Sequence, residues 1–432
     1  MTAARHGGAR WLTIVVALVG AAAVLGTIAF WPRGDAPDLG TQPSTYVDAT
    51  VTLVDSGTCE DPAVDAPGPC QAVQARLTSG ADAGDTVEFN VPASQFDAPD
   101  LAEGDKVVLL DVASSPREFR YSFHDFQRST TMWWLVGLFV VVVVMFGRWQ
   151  GVRALIGLAA SGAILVAFLV PALLRDEPAV PVALAATVVI AFIALYLAHG
   201  VNAGTTVALA GTLVSLALIA GLAFVVAALA EFSGLADGRA QTLRVTADAL
   251  DLRGLLVAGI VVGALGVLDD VTVSQVSIVA ALRRANPGLT PRLLYGEATK
   301  VGRDHVASTV NTLVLAYAGA SLPLLLLFAQ GDQPVARLLT GELIAVEIVR
   351  MLVGSIGLVA SVPITTALAA LVLSPRDDVL SRRQRRRIGD DPVEDGGVTA
   401  APAHAARSGR LRRRRSSAPA GLGEPVPAEE PR

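Results

Sequence analysis

Nine side chains able to carry a proton, a charge or a hydrogen-bond network lie between Gly254 and Gln330 of an otherwise apolar stretch: Asp269, Asp270, Gln275, Glu297, Lys300, Arg303, Asp304, His305 and Asn311. The setting decides what chemistry they could do. A charged group at bilayer depth costs at least about 2.5 to 3.5 kcal/mol on insertion scales, so an acid there faces a partner, a cavity or a transport path. At the helical rise, Asp269 and Asp270 stand roughly 22 to 24 Å in from Gly254, below the midplane of a core about 30 Å thick. Successive helical residues point about 100° apart, so the two acids cannot share one groove. Asp270, Ser274 and Ser277 fall on one face at i, i+4 and i+7, which makes Asp270 the expected inward acid. Asp269 or Asp270, with Ser274 on the same span and Asn311 and Thr312 on the next, would form the polar centre of a transport path in which an acid exchanging a proton is coupled to a solute. Two structural alternatives stand beside this: both aspartates are solvated where the segment leaves the membrane, or the polar groups only bond two helices together, a contact worth about 0.6 kcal/mol on average in membranes.

Other chemistries lack their residues. The chain has no GxxxxGK followed by Ser or Thr for a nucleotide phosphate and no HExxH for zinc. DDVTV has no further acid to complete a magnesium site. The sequence is therefore expected to be no enzyme, with no cofactor and no metal.

The elements that must position these groups follow from the same stretch. Gly254 to Leu282 is one long span. Arg283 to Val306 is basic and turn-rich, and predicts a cytoplasmic loop with a short helix from Pro291; this loop holds Gly302, Arg303, Asp304 and His305. The run from Val306 to Gln330 is a further span, with Ser308, Asn311 and Thr312 on one face and a kink expected at Pro323. The last span lies within Ile344 to Leu373, where Glu347 and Arg350 can pair at i, i+3 and Pro363 offers a second kink. Upstream, HGVNAGTT places His199 and Asn202 either in a vestibule or in a simple polar turn.

The runs GVLDD, TVSQ, ANPGL, GRDH, STVNTLVLAYAGASLPLLLLF and EIVRMLVGSIGLVASVPITT together resemble the YibE/F-like membrane proteins, in the form found in actinobacteria. The resemblance covers about Thr131 to Leu373 and, more loosely, the segment before it. It implies a multi-spanning protein commonly taken for a transporter. The family's motif residues fall here on Asp269, Gly302, Arg303, Asp304, Asn311, Thr312, Tyr317, Gly319 and Pro323, with Asp270 and His305 matching the actinobacterial variant.

The totals agree with a membrane protein: 432 residues, 52% hydrophobic and only 17% charged, against about 25% in soluble domains. The net charge of -5 conceals a segregation, acidic in the first polar segment and basic in short loops and tail, which carries no nucleic-acid reading. The expected fold is mainly α, a polytopic transmembrane helix bundle of about eight spans with a small exported β-rich domain between the first and second. Residues 1–31 form an uncleaved anchor span bracketed by Trp11 and Trp31; the alternative is a segment removed after export. Residues 32–130 form the exported domain, with five alternating strand-like runs that suggest a barrel or sandwich. Its Cys59 and Cys70 are the chain's only cysteines and are expected to be bonded to each other, since two cysteines with no nearby histidine are too few for zinc. Residues 131–373 form the multi-span domain. Residues 374–432 form a disordered basic tail whose Arg382, Arg383, Arg385, Arg386 and Arg387 either contact anionic lipid or simply fix the topology. Arginine placement puts both termini in the cytoplasm of a bacterial cell membrane. The bilayer and an unknown small solute or ion are the expected partners, and a receptor or scaffold displaying the exported domain is the rival to a permease.

Overall fold

The computed structural model describes residues 3–34, 45–61, 66–92, 100–116, 119–235, 251–329 and 334–373, with the side chains of 3–9, 59–61, 66–67 and 327–329 excepted. The arginines expected at 382, 383, 385, 386 and 387 lie outside these residues.

After helix α1 (Ala3–Ala29), the five alternating runs form five strands, β1 (Thr45–Asp61), β2 (Ala66–Leu77), β3 (Thr86–Pro92), β4 (Lys106–Asp111) and β5 (Tyr121–Phe126). Their order is β3-β2-β1-β4-β5, every pair antiparallel. β1 is the spine, pairing β2 along its length and β4 at its start, with a register shift between Val51 and Leu53 that bends it. β3 and β5 approach each other across the open side, so the sheet curls into a half-barrel, a partly open five-stranded form like that of OB-type barrels. Alternation places Val47, Ala49, Val51, Val73, Ala75, Phe89, Val107 and Leu109 inside. One ion cluster ties the barrel end. The Arg120 guanidinium donates to both oxygens of Asp111 at 2.7 and 3.0 Å and lies 2.9 Å from Asp82, which also accepts from the Tyr121 hydroxyl at 2.8 Å. The bond to Arg120 holds the Asp111 carboxyl below the usual carboxylate range.

The remaining elements are helical: α2 (Ser129–Ile164), a π-helical turn (Leu165–Leu169), α3 (Val170–Leu174), α4 (Ala179–His199), α5 (Ala203–Leu229), α6 (Leu252–Ala285), α7 (Pro291–Ala320), α8 (Leu322–Ala329), α9 (Val335–Thr340) and α10 (Glu342–Val372). Among the described residues six helical runs are long and apolar enough to cross a membrane, where the sequence suggests about eight. Two places account for the difference. The run Ser129–Leu174 is counted once, yet Arg148 inside it has φ 51 and ψ -132, and the added side chain of a residue at Gly151 would strike the Val143 carbonyl, eight residues back. A straight helix separates such positions by about 12 Å, so the chain doubles back at Arg148. The Val306–Gln330 run is broken at Ser321, two residues before Pro323, into α7 and α8.

One expectation is corrected here. The loop predicted for Gly302, Arg303, Asp304 and His305 is a continuous helix, because α7 starts at Pro291, where Thr290 caps the Leu293 amide, and runs uninterrupted into the apolar part. Polar side chains at 297–305 made that stretch too polar to span, but they do not oppose helix formation. The α10 helix continues through Pro363. The HGVNAGTT stretch takes the polar-turn form the sequence allowed, ordered by an N-cap: Asn202 accepts from the Thr205 amide at 3.0 Å, after Gly200 at φ 75.

The bundle is organised on α5, which packs against α6 and α10, while α10 also packs on α6 and α7, and α6 on α4. Close approach depends on small residues. Gly211 of α5 lies against Thr365 of α10, and Gly357 of α10 against Ile219 of α5, each leaving no room for a Cβ. At the other end of α5, Glu342 accepts from the Ser233 hydroxyl and the Gly234 amide, both at 2.8 Å, fastening the start of α10 there.

Candidate functional site

Where α5, α6, α7 and α10 meet, the apolar interior is interrupted by a polar layer. Its centre is a threonine pair, Thr212 of α5 and Thr272 of α6, both fully buried with hydroxyls 2.8 Å apart. Thr212 also donates to the Ala208 carbonyl at 3.1 Å, and the Thr272 hydroxyl lies 3.2 Å from the Asp269 carbonyl. One turn further along α6, buried Gln275 donates to the Ala298 carbonyl of α7 at 3.0 Å. Facing it, a Cβ at Gly302 would stand 2.7 Å from the Gln275 Oε1 and 2.7 Å from the Val362 Cγ1 of α10. Three helices touch at this glycine because nothing larger than hydrogen stands there. From α10 come Ser361, Thr365 and Thr366, all fully buried; Ser361 donates to Leu358 at 2.7 Å and Thr366 to Val362 at 2.6 Å.

Most of these hydroxyls spend their donor on the backbone of their own helix, the ordinary way to carry Ser or Thr in a span. Several groups have no such outlet. Among the described residues seven buried side-chain atoms have no hydrogen-bond partner: Oδ1 of Asp269, Oγ of Ser215, Oγ1 of Thr365, Nε2 of His305, Oγ of Ser355 and Nε of Arg283 belong to α5, α6, α7 or α10, and only Nε of Arg175 lies outside them. Unpaired polar atoms in a native interior are few, and a concentration of them in one helix group calls for an explanation.

The match of a family model described as YibE/F-like protein extends over residues 135–375. The chain belongs to this family. No curated protein and no solved structure gives a match. The YibE/F-like match begins within α2 and passes the end of α10, so it holds every residue of the polar layer and leaves the half-barrel outside.

The family-motif residues do not converge on one point. Asp269 is half-buried with one oxygen enclosed, whereas Asp270 is exposed on the outer face of α6, so the expectation that Asp270 points inward is reversed. The i, i+4, i+7 pattern of Asp270, Ser274 and Ser277 does mark one face, but it continues the exposed Gly259, Gly263 and Gly266 and is the outer one. Ser274 is half-buried. Asn311 and Thr312 are exposed on α7, with Thr312 donating to Ser308 at 3.0 Å, and they do not join Asp269. Arg303 and Asp304 are exposed too, while Gly302 and His305 turn inward. Glu347 and Arg350 form the expected pair at 2.7 Å. Thr212, Ser215, Thr365 and Thr366 were not singled out from the sequence; their signal was hydroxyl residues recurring at helical spacing inside apolar spans.

Proposed function

We propose that this YibE/F-like protein is a secondary transporter of the bacterial cell membrane rather than an enzyme, with Asp269 as the group that binds or releases a proton in its polar layer. The observation that carries this is the Asp269 carboxyl, half-buried in an apolar helix, with an enclosed oxygen that no side chain or amide among the described residues satisfies. An acid in that position is costly unless it serves an ion or a solute. Unpartnered hydroxyls on neighbouring helices supply further ligating atoms in the same helix group. Asp270, exposed and outward, serves as the internal control.

The reading includes eight spans with both termini cytoplasmic. Support comes from the reversal at Arg148, which divides a run of about 69 Å into two arms for a core of about 30 Å, and from α7 with α8, whose apolar part has the length of another crossing. It also includes an exported half-barrel with Cys59 bonded to Cys70. Cys70 is buried on β2, and the backbone at Cys59 lies in the same hairpin two register positions away; the Cys59 side chain is outside the described residues.

The experiment is solute flux in vesicles holding the purified chain, with and without a pH gradient, comparing Asp269→Asn and Asp270→Asn. Gradient-driven flux that is lost in Asp269→Asn and kept in Asp270→Asn is the expected result. Undiminished flux in Asp269→Asn refutes the assignment, and the absence of gradient-driven flux across a broad solute panel favours a scaffold that displays the exported domain.

A further inference from the structure

A cavity of about 260 Å³ opens where α4 ends, α5 begins and α6 runs out toward its basic end. Its polar lining is His199, Asn202, Thr205, Ser277 and Arg284, and it contains no carboxylate. Three features of this lining favour negative charge. The N-terminus of the 27-residue helix α5 faces it, with Asn202 capping the Thr205 amide and Gly204 in the lining. Arg284 is exposed at the rim and has no ion-pair partner among the described residues. Thr205 is 5% exposed, yet its hydroxyl has no hydrogen-bond partner among the described residues, and it lines the cavity; only its amide is used, by Asn202.

The cavity is aligned with the polar layer. On α6 the lining residues Val273, Val276 and Ala280 continue the face of Asp269 at i+4, i+7 and i+11. On α5 the lining residues Thr205 and Ala208 continue to Thr212, the partner of Thr272. The innermost lining residue of α6 is therefore one helical turn from the Asp269 carboxyl.

We propose that this cavity is an oxyanion-receiving mouth, taking a carboxylate or phosphate group between the first turn of α5 and Arg284 before it reaches Asp269. This deepens the transport reading and rests on it for direction, placing the mouth on the cytoplasmic side. It gives the solute a class: a small organic or inorganic anion, which a proton on Asp269 would accompany. A lipid phosphate shares this chemistry, so the test has to separate the two sources.

The full chain is placed in discs of phosphatidylcholine and titrated calorimetrically with inorganic phosphate. Saturable binding is expected, weakened about tenfold by Arg284→Gln, through loss of a charge-assisted bond, and severalfold by Thr205→Val. Arg292→Gln, which changes an α7 cation outside the lining, is expected to bind as the parent does. The titration is repeated in discs containing phosphatidylglycerol. An apparent affinity that falls in those discs for the parent and not for Arg284→Gln assigns the mouth to a headgroup phosphate, and an unchanged affinity assigns it to a free anion. No saturable binding in the neutral discs, or equal binding by the parent, Arg284→Gln and Thr205→Val, overturns the proposal. Binding is read without a gradient, so this result and the Asp269→Asn flux result can fail separately.

Discussion

Replacing Gly302 by alanine adds one methyl group at the point where three helices touch. The new carbon would stand 2.7 Å from the Val362 Cγ1 and 2.7 Å from the Gln275 Oε1, with the Gln275 Nε2 at 3.1 Å. Carbon atoms pack at about 3.5 to 4.0 Å, so a relief of about 1 Å is required on two sides. Neither neighbour yields freely. Val362 is 3% exposed, and Gln275 is 1% exposed and committed to the Ala298 carbonyl. Overpacking of this kind costs about 1 to 3 kcal/mol, and a displaced Gln275 also gives up an interhelical bond of about 0.6 kcal/mol. We expect a net destabilisation of about 2 to 3 kcal/mol, a loss of roughly 30- to 140-fold in the folded-to-unfolded ratio. Reversible unfolding in mixed micelles, followed by circular dichroism, measures it. The decisive comparison is the double variant with Gln275→Ala, which removes one of the two obstructing groups. The pair is expected to be less destabilised than the sum of its singles by about 1 kcal/mol. A neutral Gly302→Ala, or strict additivity of the two changes, refutes the close approach of α6, α7 and α10 at this depth.

Three further outcomes are expected. Because its pairing with Arg120 lowers the Asp111 pKa in the folded state, that stabilisation is fully present above the unfolded value near 3.9 and is lost as the pH falls through the folded value. Acid unfolding of the half-barrel should accordingly lose this component in Asp111→Asn, while Arg120→Gln should lower stability at neutral pH; an acid profile identical to the parent's in Asp111→Asn rejects the assignment. An enzyme active only in the cytoplasm should report activity when fused after Gly147 or Ser374 and none after Asp176, and uniform activity at all three positions removes the reversal at Arg148. Mass spectrometry of unreduced peptides should link Cys59 to Cys70, whereas quantitative alkylation of both thiols shows that they are not joined.

The strands were legible because half-buried strands alternate with a period of two, and YVDATVTLV, AVQARLT and DKVVLLDV carry that period plainly. Long apolar runs such as α4 and α5 were legible for an equally simple reason, since nothing else in a chain of this composition needs them. What composition hides is continuity and facing. Polar residues from Glu297 to His305 lower hydropathy without lowering helix propensity, so the stretch reads as a loop although the backbone stays helical. Facing failed at Asp269 and Asp270 because a shared face of small and polar residues describes an outer stripe as well as an inner one. Only the packing of α4, α5, α7 and α10 around α6 decides between them. The reversal at Arg148 has no glycine or proline at the strained position to announce it; the neighbouring Gly147 and Gly151 are its only trace in the sequence.

The contact between Gly211 and Thr365 also has a consequence for biogenesis. The two residues are separated by most of the membrane domain, and at synthesis rates of about 5 to 20 residues per second the second emerges about 8 to 30 seconds after the first. Through that interval α5 sits in the bilayer with the flank that will receive α10 uncovered, including the notch at Gly211 and the hydroxyl of Ser215. A nascent chain in this state presents what insertion chaperones and membrane proteases recognise, a polar seam turned toward lipid. The flank of α5 is covered only when α10 arrives, and chains truncated before Glu342 are expected to be cleared rather than accumulate.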